Sequence, residues 1–358
     1  MSDSLPIETD ALVIGAGPVG LFQAFQLGLL EIPCHIVDAL PHAGGQCIEL
    51  YADKPIYDIP GLPRSTGRAL VAALTDQLAP FRPNFHLSQQ VMSLAREADG
   101  RWLLGTSTGI RFLARSVIVA AGVGAFVPRR LPLAGIERFE GDQLAYHPAT
   151  LDRWGGRRVT VVGGDDAALE AAIALAEATT QPSGETPAPA GVTLLHRRDV
   201  FQAEDTTILR MRALCADGAL QLRIGQVGEF VVDDADRLRA LRIGTPEGGS
   251  IELPTDAVLA YLGISPRLGP IADWGLALER KQVPVDTEAF RTSEPGIFAV
   301  GDINTYPGKK KLILCGFHEA TLAAWGVAAL LRPEQRPVLQ YTTTSTRLHE
   351  LLGVSDKA

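Results

Sequence analysis

Cysteine is scarce in this sequence, and its spacing excludes the usual chemistry of paired cysteines. The 358 residues include only Cys34, Cys47, Cys215 and Cys315, and no two of them are closer than 13 positions. There is neither a CxxC redox pair nor a zinc-ligand pattern. We interpret each cysteine as a small buried residue of a protein in a reducing compartment, and we predict no metal site.

The sequence also lacks an excess of positive charge and any long uninterrupted apolar run. Its net charge of −8 argues against general nucleic-acid binding. No apolar stretch reaches the roughly 18–20 residues of a membrane span without glycine or polar interruptions. The N-terminal MSDSLPIETD is acidic and polar, unlike a secretory signal. We therefore expect a cytoplasmic protein that binds neither membrane nor nucleic acid.

The clearest positive signal is a glycine-rich turn near the N-terminus. The stretch DALVIGAGPVGLFQAFQLGLL places Gly15, Gly17 and Gly20 between an apolar strand and a helical run. Such glycines allow a tight turn, the approach of a pyrophosphate and close helix packing, and the helix N-terminus faces the phosphates. The next strand, CHIVDA, ends in Asp38, whose carboxylate suits a ribose 2′-hydroxyl and repels a 2′-phosphate. The first site is predicted to hold FAD or NAD.

The same plan recurs in the middle of the chain. The stretch GGRRVTVVGGDDAALEAAIALAEA repeats strand, turn and helix, with Gly163 and Asp166 in the turn. The following strand, VTLLHRR, ends in His196, Arg197 and Arg198, where the first module carries an acid. A basic cluster at this place accommodates a 2′-phosphate, so the second site is predicted to bind NADP.

One residue of the second turn departs from the glycine pattern. Asp165 stands where the second glycine belongs. Its charge and bulk suit a pyrophosphate neighbour poorly. Either the side chain points away, or the pyrophosphate lies further out than usual, and the basic cluster at 196–198 remains the main support for NADP.

The two turns predict an α/β protein with two Rossmann-like, three-layer nucleotide-binding domains, each followed by a β-meander. The NADP domain is inserted into the FAD domain. The predicted ranges are 1–127 and 254–336 for the two parts of the FAD domain, 128–253 for the NADP domain and 337–358 for a C-terminal extension. The stretch GIFAVGD returns to the first domain and ends a strand at Asp302, an acceptor suited to ribose or ribityl hydroxyls.

With these motifs assembled, the sequence resembles the two-dinucleotide-binding-domain flavoproteins of the thioredoxin reductase type. The first glycine turn, GGQ at 44–46, GGDDA, HRRDVF and AVGD at 299–302 occur in the same order. Thioredoxin reductases carry a CxxC in the NADP domain, and this chain has none, so disulfide reduction is not expected. The stretches CIELYADKPIYDIPG, TYPGKKKLILCGFHEATLAA and QYTTTS are similar to the thioredoxin-reductase-like (type 2) ferredoxin–NADP⁺ reductases.

This resemblance implies a homodimeric enzyme that transfers hydride between NADP(H) and FAD and exchanges single electrons with ferredoxin or flavodoxin. The implied FAD contacts are Asp38, Gln46, Tyr51, Val91, Phe126, Asp302 and Thr343. Tyr51 is expected to stack on the isoalloxazine. Tyr341, in the tail of the partner subunit, is expected to stack on the opposite face. No catalytic residue is named, because hydride transfer needs no acid or base.

Two other classes of function remain open. One is an NAD(P)H oxidase or diaphorase that passes electrons to quinone or oxygen. The other is a nucleotide-sensing flavoprotein in which Asp165 has reduced turnover. Docking of an acidic ferredoxin on a chain of net charge −8 requires a local basic patch. The candidates are Lys309, Lys310, Lys311, Arg64, Arg68, Arg129 and Arg130.

Overall fold

The computed structural model describes residues 5–148, 150–180, 187–335 and 341–353, apart from the side chains of 125–128, 180 and 264–266. The chain divides into two compact units, one made of Met1–Ala125 with Pro266–Ala358 and the other of Phe126–Ser265. The second unit is therefore inserted into the first. The boundary predicted after 253 is too early, because the strand Ala257–Tyr261 pairs with Arg158–Gly163 inside the second unit.

The elements follow in chain order. The first segment of the first unit contains β1 (Ile7–Ile14), α1 (Pro18–Leu29), β2 (Cys34–Val37), α2 (Gln46–Glu49), β3 (Pro55–Ile56), β4 (Ser65–Thr66), α3 (Gly67–Leu78), β5 (Asn84–His86), β6 (Val91–Arg96), β7 (Trp102–Thr106) and β8 (Arg111–Val119). The strands β9 (Ala125–Pro128) and β18 (Ile264–Arg267) cross the two boundaries. Between them lie β10 (Leu144–Tyr146), β11 (Arg158–Gly163), α4 (Asp166–Thr180), β12 (Gly191–His196), α5 (Asp205–Ala216), β13 (Gln221–Ile224), β14 (Gln226–Val232), β15 (Leu238–Thr245), β16 (Gly249–Pro254) and β17 (Ala257–Tyr261). The chain then continues with β19 (Val283–Pro284), β20 (Ile297–Ala299), β21 (Asn304–Thr305), α6 (Ile313–Leu331) and α7 (Thr346–Leu351). Short 3-10 helices lie at Ala79–Phe81, Ile136–Phe139, Asp152–Trp154, Gly269–Asp273, Gly301–Ile303 and Thr342–Thr344.

The sheet of the first unit has the strand order β5-β2-β1-β8-β7-β6, and β20 also pairs with β8. Strands β5, β2, β1, β8 and β20 run parallel to one another, whereas β7 is antiparallel to both β8 and β6 and forms the meander with them. The long strand β8 belongs to both the meander and the parallel sheet. Its first half pairs with β7, and its last three residues pair with β20. The carboxyl ends of β1, β2 and β20 therefore meet at one edge, where ligands of open α/β sheets bind.

The side chains of β1 point alternately to the two faces of the sheet, and both faces are covered, which gives this unit three layers. Ala11 and Val13 belong to the core cluster that contains α1, α3 and α6, whereas Leu12 and Ile14 belong to the cluster on the meander face. Successive side chains of a strand point to opposite faces, so a continuous apolar run is typical of a sheet covered on both sides. The predicted three-layer arrangement is confirmed here.

The second unit repeats the design with a parallel sheet of order β10-β17-β11-β12-β13 and a separate meander, β14-β15-β16. Val161 and Leu194 pack against the helix layer, and their neighbours Val162 and Leu195 pack in the cluster that contains the meander. The predicted α/β class with two Rossmann-like domains is thus confirmed.

Helix α6 is long and apolar enough to cross a membrane by length and composition alone. In this fold its residues Ala323, Ala324 and Val327 are fully buried in the same core cluster as α1. The helix also carries a completely buried acid, Glu319. Its apolar character therefore serves the core of the first unit.

Candidate functional site

The first glycine turn has the geometry of a pyrophosphate cradle. Gly15 has a φ of +112°, and a Cβ there would lie 2.4 Å from the carbonyl oxygen of Ala120. A Cβ on Gly20 would lie 1.9 Å from the oxygen of Gly15, so both positions require glycine for close packing. A Cβ on Gly17 would meet no atom within 4 Å. Gly17 caps α1, so this open space lies at a helix N-terminus and fits the phosphates of a dinucleotide.

Asp38, the predicted ribose ligand, is hydrogen-bonded to this turn. One of its carboxylate oxygens accepts a hydrogen bond from the Ala16 amide at 2.6 Å, and the other accepts one from the Leu40 amide at 2.8 Å. Burial raises the pKa of Asp38, and these two backbone hydrogen bonds act in the opposite direction. Each oxygen keeps a further lone pair, so the carboxylate can accept a ribose hydroxyl.

The GGQ stretch lies against the same turn. The Gly44 amide donates to the Ala16 carbonyl at 2.8 Å, and a Cβ on Gly45 would lie 3.1 Å from the Cα of Gly17. Backbone φ values of +123° and +50° at these two glycines exclude most other residues. The stretch therefore forms a second wall beside the open space at the start of α1.

Gln46 and Asp302 meet although 256 positions separate them in the chain. The Gln46 side-chain amide donates to Oδ2 of Asp302 at 3.2 Å. Tyr51 is half-buried, and burial raises its pKa, with smaller contributions from Cys47 and from the charge of Asp302. The structure therefore brings Gln46, Tyr51 and Asp302 together near the glycine turn, as the resemblance implies.

Three other implied FAD contacts differ from this group. Val91 packs its side chain into the core beside the meander, with an exposed fraction of 3%, so it can reach a ligand only through its main chain. The side chain of Phe126 lies outside the described residues. Thr343 is exposed in the short 3-10 helix of the tail.

Tyr341 also belongs to the tail, and 69% of its surface is exposed. Among the contacts of the described residues, none joins Tyr341 or Thr343 to Asp302. The tail is instead held by an ion pair of 2.6 Å between Arg347 and Glu31. Glu31 follows the C-terminal end of α1, about 18 Å along that helix from Gly17. Within the described residues of one chain, Tyr341 makes no hydrogen bond, ion pair or ring contact with the residues near Asp302.

In the second unit, the glycine turn packs tightly on the sheet and on the basic strand end. A Cβ on Gly163 would lie 2.4 Å from the carbonyl oxygen of Tyr261, and one on Gly164 would lie 2.4 Å from the imidazole of His196. His196 thus lies directly across the turn. Burial, followed by the charges of Arg197 and Arg198, lowers the pKa of this histidine, so the neutral ring is favoured.

Arg197 and Arg198 are exposed beside this turn. Several other arginines of the unit are paired, for example Arg210 with Glu177 at 2.5 Å. Within the described part of the chain, Arg197 and Arg198 have no ion-pair partner. Two free guanidinium groups at the end of β12 fit a 2′-phosphate, which supports the predicted NADP site.

Of the two arrangements expected for Asp165, the structure does not show the one in which its side chain points away from the start of α4. Its Oδ1 accepts a hydrogen bond from the Ala168 amide at 3.0 Å, so the side chain caps α4. The carboxylate thus lies at the helix N-terminus, where an anion would be stabilised. The next acid, Asp166, accepts from the Glu204 amide at 2.8 Å and ties α4 to the start of α5. Asp166 therefore has a structural role, the link between α4 and α5, while its predicted role in nucleotide binding remains a prediction.

The predicted basic patch is smaller than the sequence indicates. Lys309 is buried against Glu319, Arg68 pairs with Asp53 and Arg130 pairs with Glu140. Their charges are therefore compensated within the chain. The patch candidates without an ion-pair partner among the described residues are Arg64, Arg129, Lys310 and Lys311. Sequence reasoning missed Glu319, although a single acid inside the apolar run of α6 is a signal that could have identified it.

Comparison with known proteins agrees with this geometry. The profile of the pyridine nucleotide-disulphide oxidoreductase family matches residues 9–324. A ferredoxin–NADP reductase of Verminephrobacter eiseniae is 57% identical over 354 residues, which cover 98% of each chain. One of Acidovorax sp. is 56% identical over 357 residues, covering 99% of this chain and 98% of the relative. The protein belongs to the ferredoxin–NADP reductases of this oxidoreductase family.

Solved structures of related oxidoreductases support the fold. The thioredoxin reductase of T. acidophilum superposes with a TM-score of 0.55 at 22% identity, covering 90% of this chain and 98% of that one. The bacillithiol disulfide reductase of Staphylococcus aureus gives 0.58 at 15% identity, covering 92% and 100%. At such identities the likeness concerns the fold alone, and it confirms the predicted resemblance to thioredoxin reductases at that level.

Proposed function

We propose that the protein is an FAD-dependent ferredoxin–NADP⁺ reductase of the cytoplasm. It moves a hydride between NADP(H) and FAD, and single electrons between FAD and a ferredoxin or flavodoxin. The observation that carries the proposal is the contrast between the two glycine turns: the first contacts Asp38, and the second lies beside His196 and two free arginines. Relatives at 57% and 51% identity over 98% of this chain, named ferredoxin–NADP reductases, support the reaction.

The residues divide the work of binding. The N-terminus of α1 holds the FAD pyrophosphate over the open face of Gly17, and Asp38 accepts a ribose hydroxyl. Asp302, held by Gln46, accepts a hydroxyl of the ribityl chain. Arg197 and Arg198 hold the 2′-phosphate of NADP. The FAD, when bound, supplies the redox chemistry, because the flavin accepts two electrons as hydride and releases them singly.

Docking of an acidic iron–sulfur partner then depends on a small basic area of the first unit. Lys310 and Lys311 lie just before Leu312, the N-cap of α6, and both are exposed. Arg64 is likewise exposed, in the loop before β4. Opposite charges on the partner would steer its approach and make the association rate fall with ionic strength. The same area can receive a flavodoxin.

The tail supports a homodimer in this proposal. Tyr341 and Thr343 are exposed and do not contact the site of their own chain, so they are available to cover the flavin of a partner subunit. Deleting residues 338–358 should leave FAD bound and NADPH selectivity intact while it alters the flavin spectrum and the rate with ferredoxin. Sedimentation of the full chain as a monomer, or a wild-type spectrum and rate in the truncated protein, would exclude this role for the tail.

The central test is turnover of the purified protein with NADPH, with and without added ferredoxin or flavodoxin. The protein should be yellow and release FAD on denaturation, and ferredoxin-dependent reduction of cytochrome c should exceed the rate without ferredoxin. Equal rates with and without the carrier would instead indicate a diaphorase or oxidase. Slow or absent flavin reduction in a stopped-flow mixture with NADPH would indicate a nucleotide sensor.

A further inference from the structure

Glu319 is an acid buried where acids are rare. It lies on α6 among alanines and other apolar residues, and none of its surface is exposed. Four donors converge on its carboxylate. One oxygen accepts from the Gly301 amide at 2.7 Å and from the Asn304 side chain at 2.8 Å; the other accepts from the Tyr306 hydroxyl at 2.9 Å and from the ammonium of Lys309.

Lys309 completes a clamp around one peptide group. Its side chain is 7% exposed, and besides Glu319 its ammonium donates to the carbonyl oxygen of Gly301 at 2.9 Å. The amide of Gly301 is held by the acid and the carbonyl of Gly301 by the base. Gly301 has a φ of +79°, so this conformation excludes most other residues.

The clamp holds the residue that follows it. The main-chain oxygens of Asp302 and Asn304 accept from the Gln282 side chain at 3.2 and 2.7 Å, and Asn304 also donates to Ala299 at the end of β20. The main chain around Asp302 is therefore fixed on both sides. Its carboxylate, by contrast, accepts a hydrogen bond from the Gln46 side chain, which lies beside the first glycine turn.

Stability alone does not account for such an arrangement. Burying two charges costs desolvation energy, and apolar side chains of similar volume are often at least as stabilising. An ion pair that is hydrogen-bonded to both ends of one peptide group does, however, restrict the position of that group more than apolar packing does.

We propose that Lys309 and Glu319 are positioning residues, which clamp the Gly301 peptide and thereby hold the Asp302 carboxylate in place for FAD. This inference rests on the proposed function, because it takes Asp302 to be an FAD ligand. Lys309 is in this view no part of the docking patch, although Lys310 and Lys311 beside it are exposed.

The test compares Lys309→Met with Lys310→Met, its neighbour in the same run. The FAD dissociation constant of each apoprotein is measured by calorimetry, together with the absorption spectrum of the bound flavin and the urea unfolding curve. Lys309→Met should weaken FAD binding by about tenfold or more and shift the flavin bands, because the charged hydrogen bond to Gly301 is lost. Lys310→Met should have the FAD dissociation constant and the flavin absorption spectrum of the wild type.

A second variant separates positioning from stability. Lys309→Met combined with Glu319→Met removes both buried charges and should recover most of the stability lost in the single variant. Its FAD affinity should stay low, because Gly301 then lacks both partners. Recovery of the affinity along with the stability would overturn the proposal, and so would a wild-type affinity in folded Lys309→Met. Failure of the wild-type apoprotein to bind FAD would instead refute the proposed function.

Discussion

At the scale of single residues, Arg197 and Arg198 are expected to decide between the two nicotinamide nucleotides. Charge-assisted hydrogen bonds contribute about 1.5–3 kcal/mol each, so replacing either arginine with alanine should lower the NADPH-to-NADH ratio of kcat/KM roughly tenfold to a hundredfold. The ratio is measured by steady-state kinetics with both nucleotides. Arg210→Ala, which removes an arginine already paired with Glu177, is the control and should leave the ratio unchanged. Equal kcat/KM values in the wild type would contradict the NADP assignment.

Asp165 is expected to weaken binding of both nucleotides, because its carboxylate lies at the anion-binding end of α4. Asp165→Asn keeps an N-cap and removes the charge, whereas Asp165→Gly removes both at a cost of only a few tenths of a kcal/mol. Both variants should lower KM for NADPH and NADH by a similar factor, on the order of tenfold. A change confined to one nucleotide, or none at all, would show that the pyrophosphate does not approach this carboxylate.

At the scale of elements, the turn between β1 and α1 contains two kinds of glycine. A Cβ on Gly17 meets open space, and its φ of −69° suits alanine. Gly17→Ala should therefore leave urea unfolding of the apoprotein nearly unchanged but weaken FAD binding, because the methyl group enters the space of the pyrophosphate. Gly20→Ala should destabilise the apoprotein itself, since its Cβ would lie 1.9 Å from a backbone oxygen. A Gly17→Ala protein with wild-type FAD affinity would place the phosphates elsewhere.

Two strands at the edge of the same sheet carry a histidine pair. Nδ1 of His35 on β2 lies 2.8 Å from Nε2 of His86 on β5, and the rings stack. Burial lowers the pKa of both histidines, and for His35 the charge of His86 lowers it further. The folded state therefore favours neutral rings. This contribution to stability is complete above the unfolded pKa of about 6.5 and is lost as pH falls toward the lower folded values.

The free energy of unfolding should accordingly drop between pH 7.5 and 5.5. Replacing His86 with Asn should reduce this drop, which urea titrations at the two pH values can measure. His349→Asn, on α7, provides a comparison on the same chain. A pH dependence that His86→Asn leaves intact would assign the effect to other groups.

At the scale of the whole molecule, the protein has the fold of thioredoxin reductases but lacks their pair of redox cysteines. All four cysteines are unpaired; Cys34 and Cys47 are buried, and burial raises the pKa of Cys34 to about 12. A thiolate is the attacking species in disulfide exchange, so such thiols are poor nucleophiles. NADPH-dependent reduction of thioredoxin or a disulfide dye should be absent. Turnover that disappears in Cys215→Ser or Cys315→Ser would contradict this prediction.

Much of the fold and part of the site follow from local patterns in the sequence. The apolar strand, the glycine turn and the helix are encoded within about 20 residues, and the acid or base stands at the end of the next strand. These patterns predicted the two nucleotide-binding folds, with Asp38 at the end of the second strand of the first and His196, Arg197 and Arg198 at the corresponding place in the second. Such predictions succeed because the backbone conformation, and the alternation of apolar and polar side chains, depend on residues that are close in the sequence.

Tertiary structure decided the contacts and strand pairings that join residues far apart in the sequence. Three adjacent lysines are equivalent in the sequence, yet only Lys309 reaches Glu319, because the loop after Gly301 folds back on α6. The end of the second unit likewise depends on β17, which inserts between β10 and β11, and strand order is not encoded locally. Local sequence determined which elements this protein forms, and packing determined which of its charges remain available to ligands.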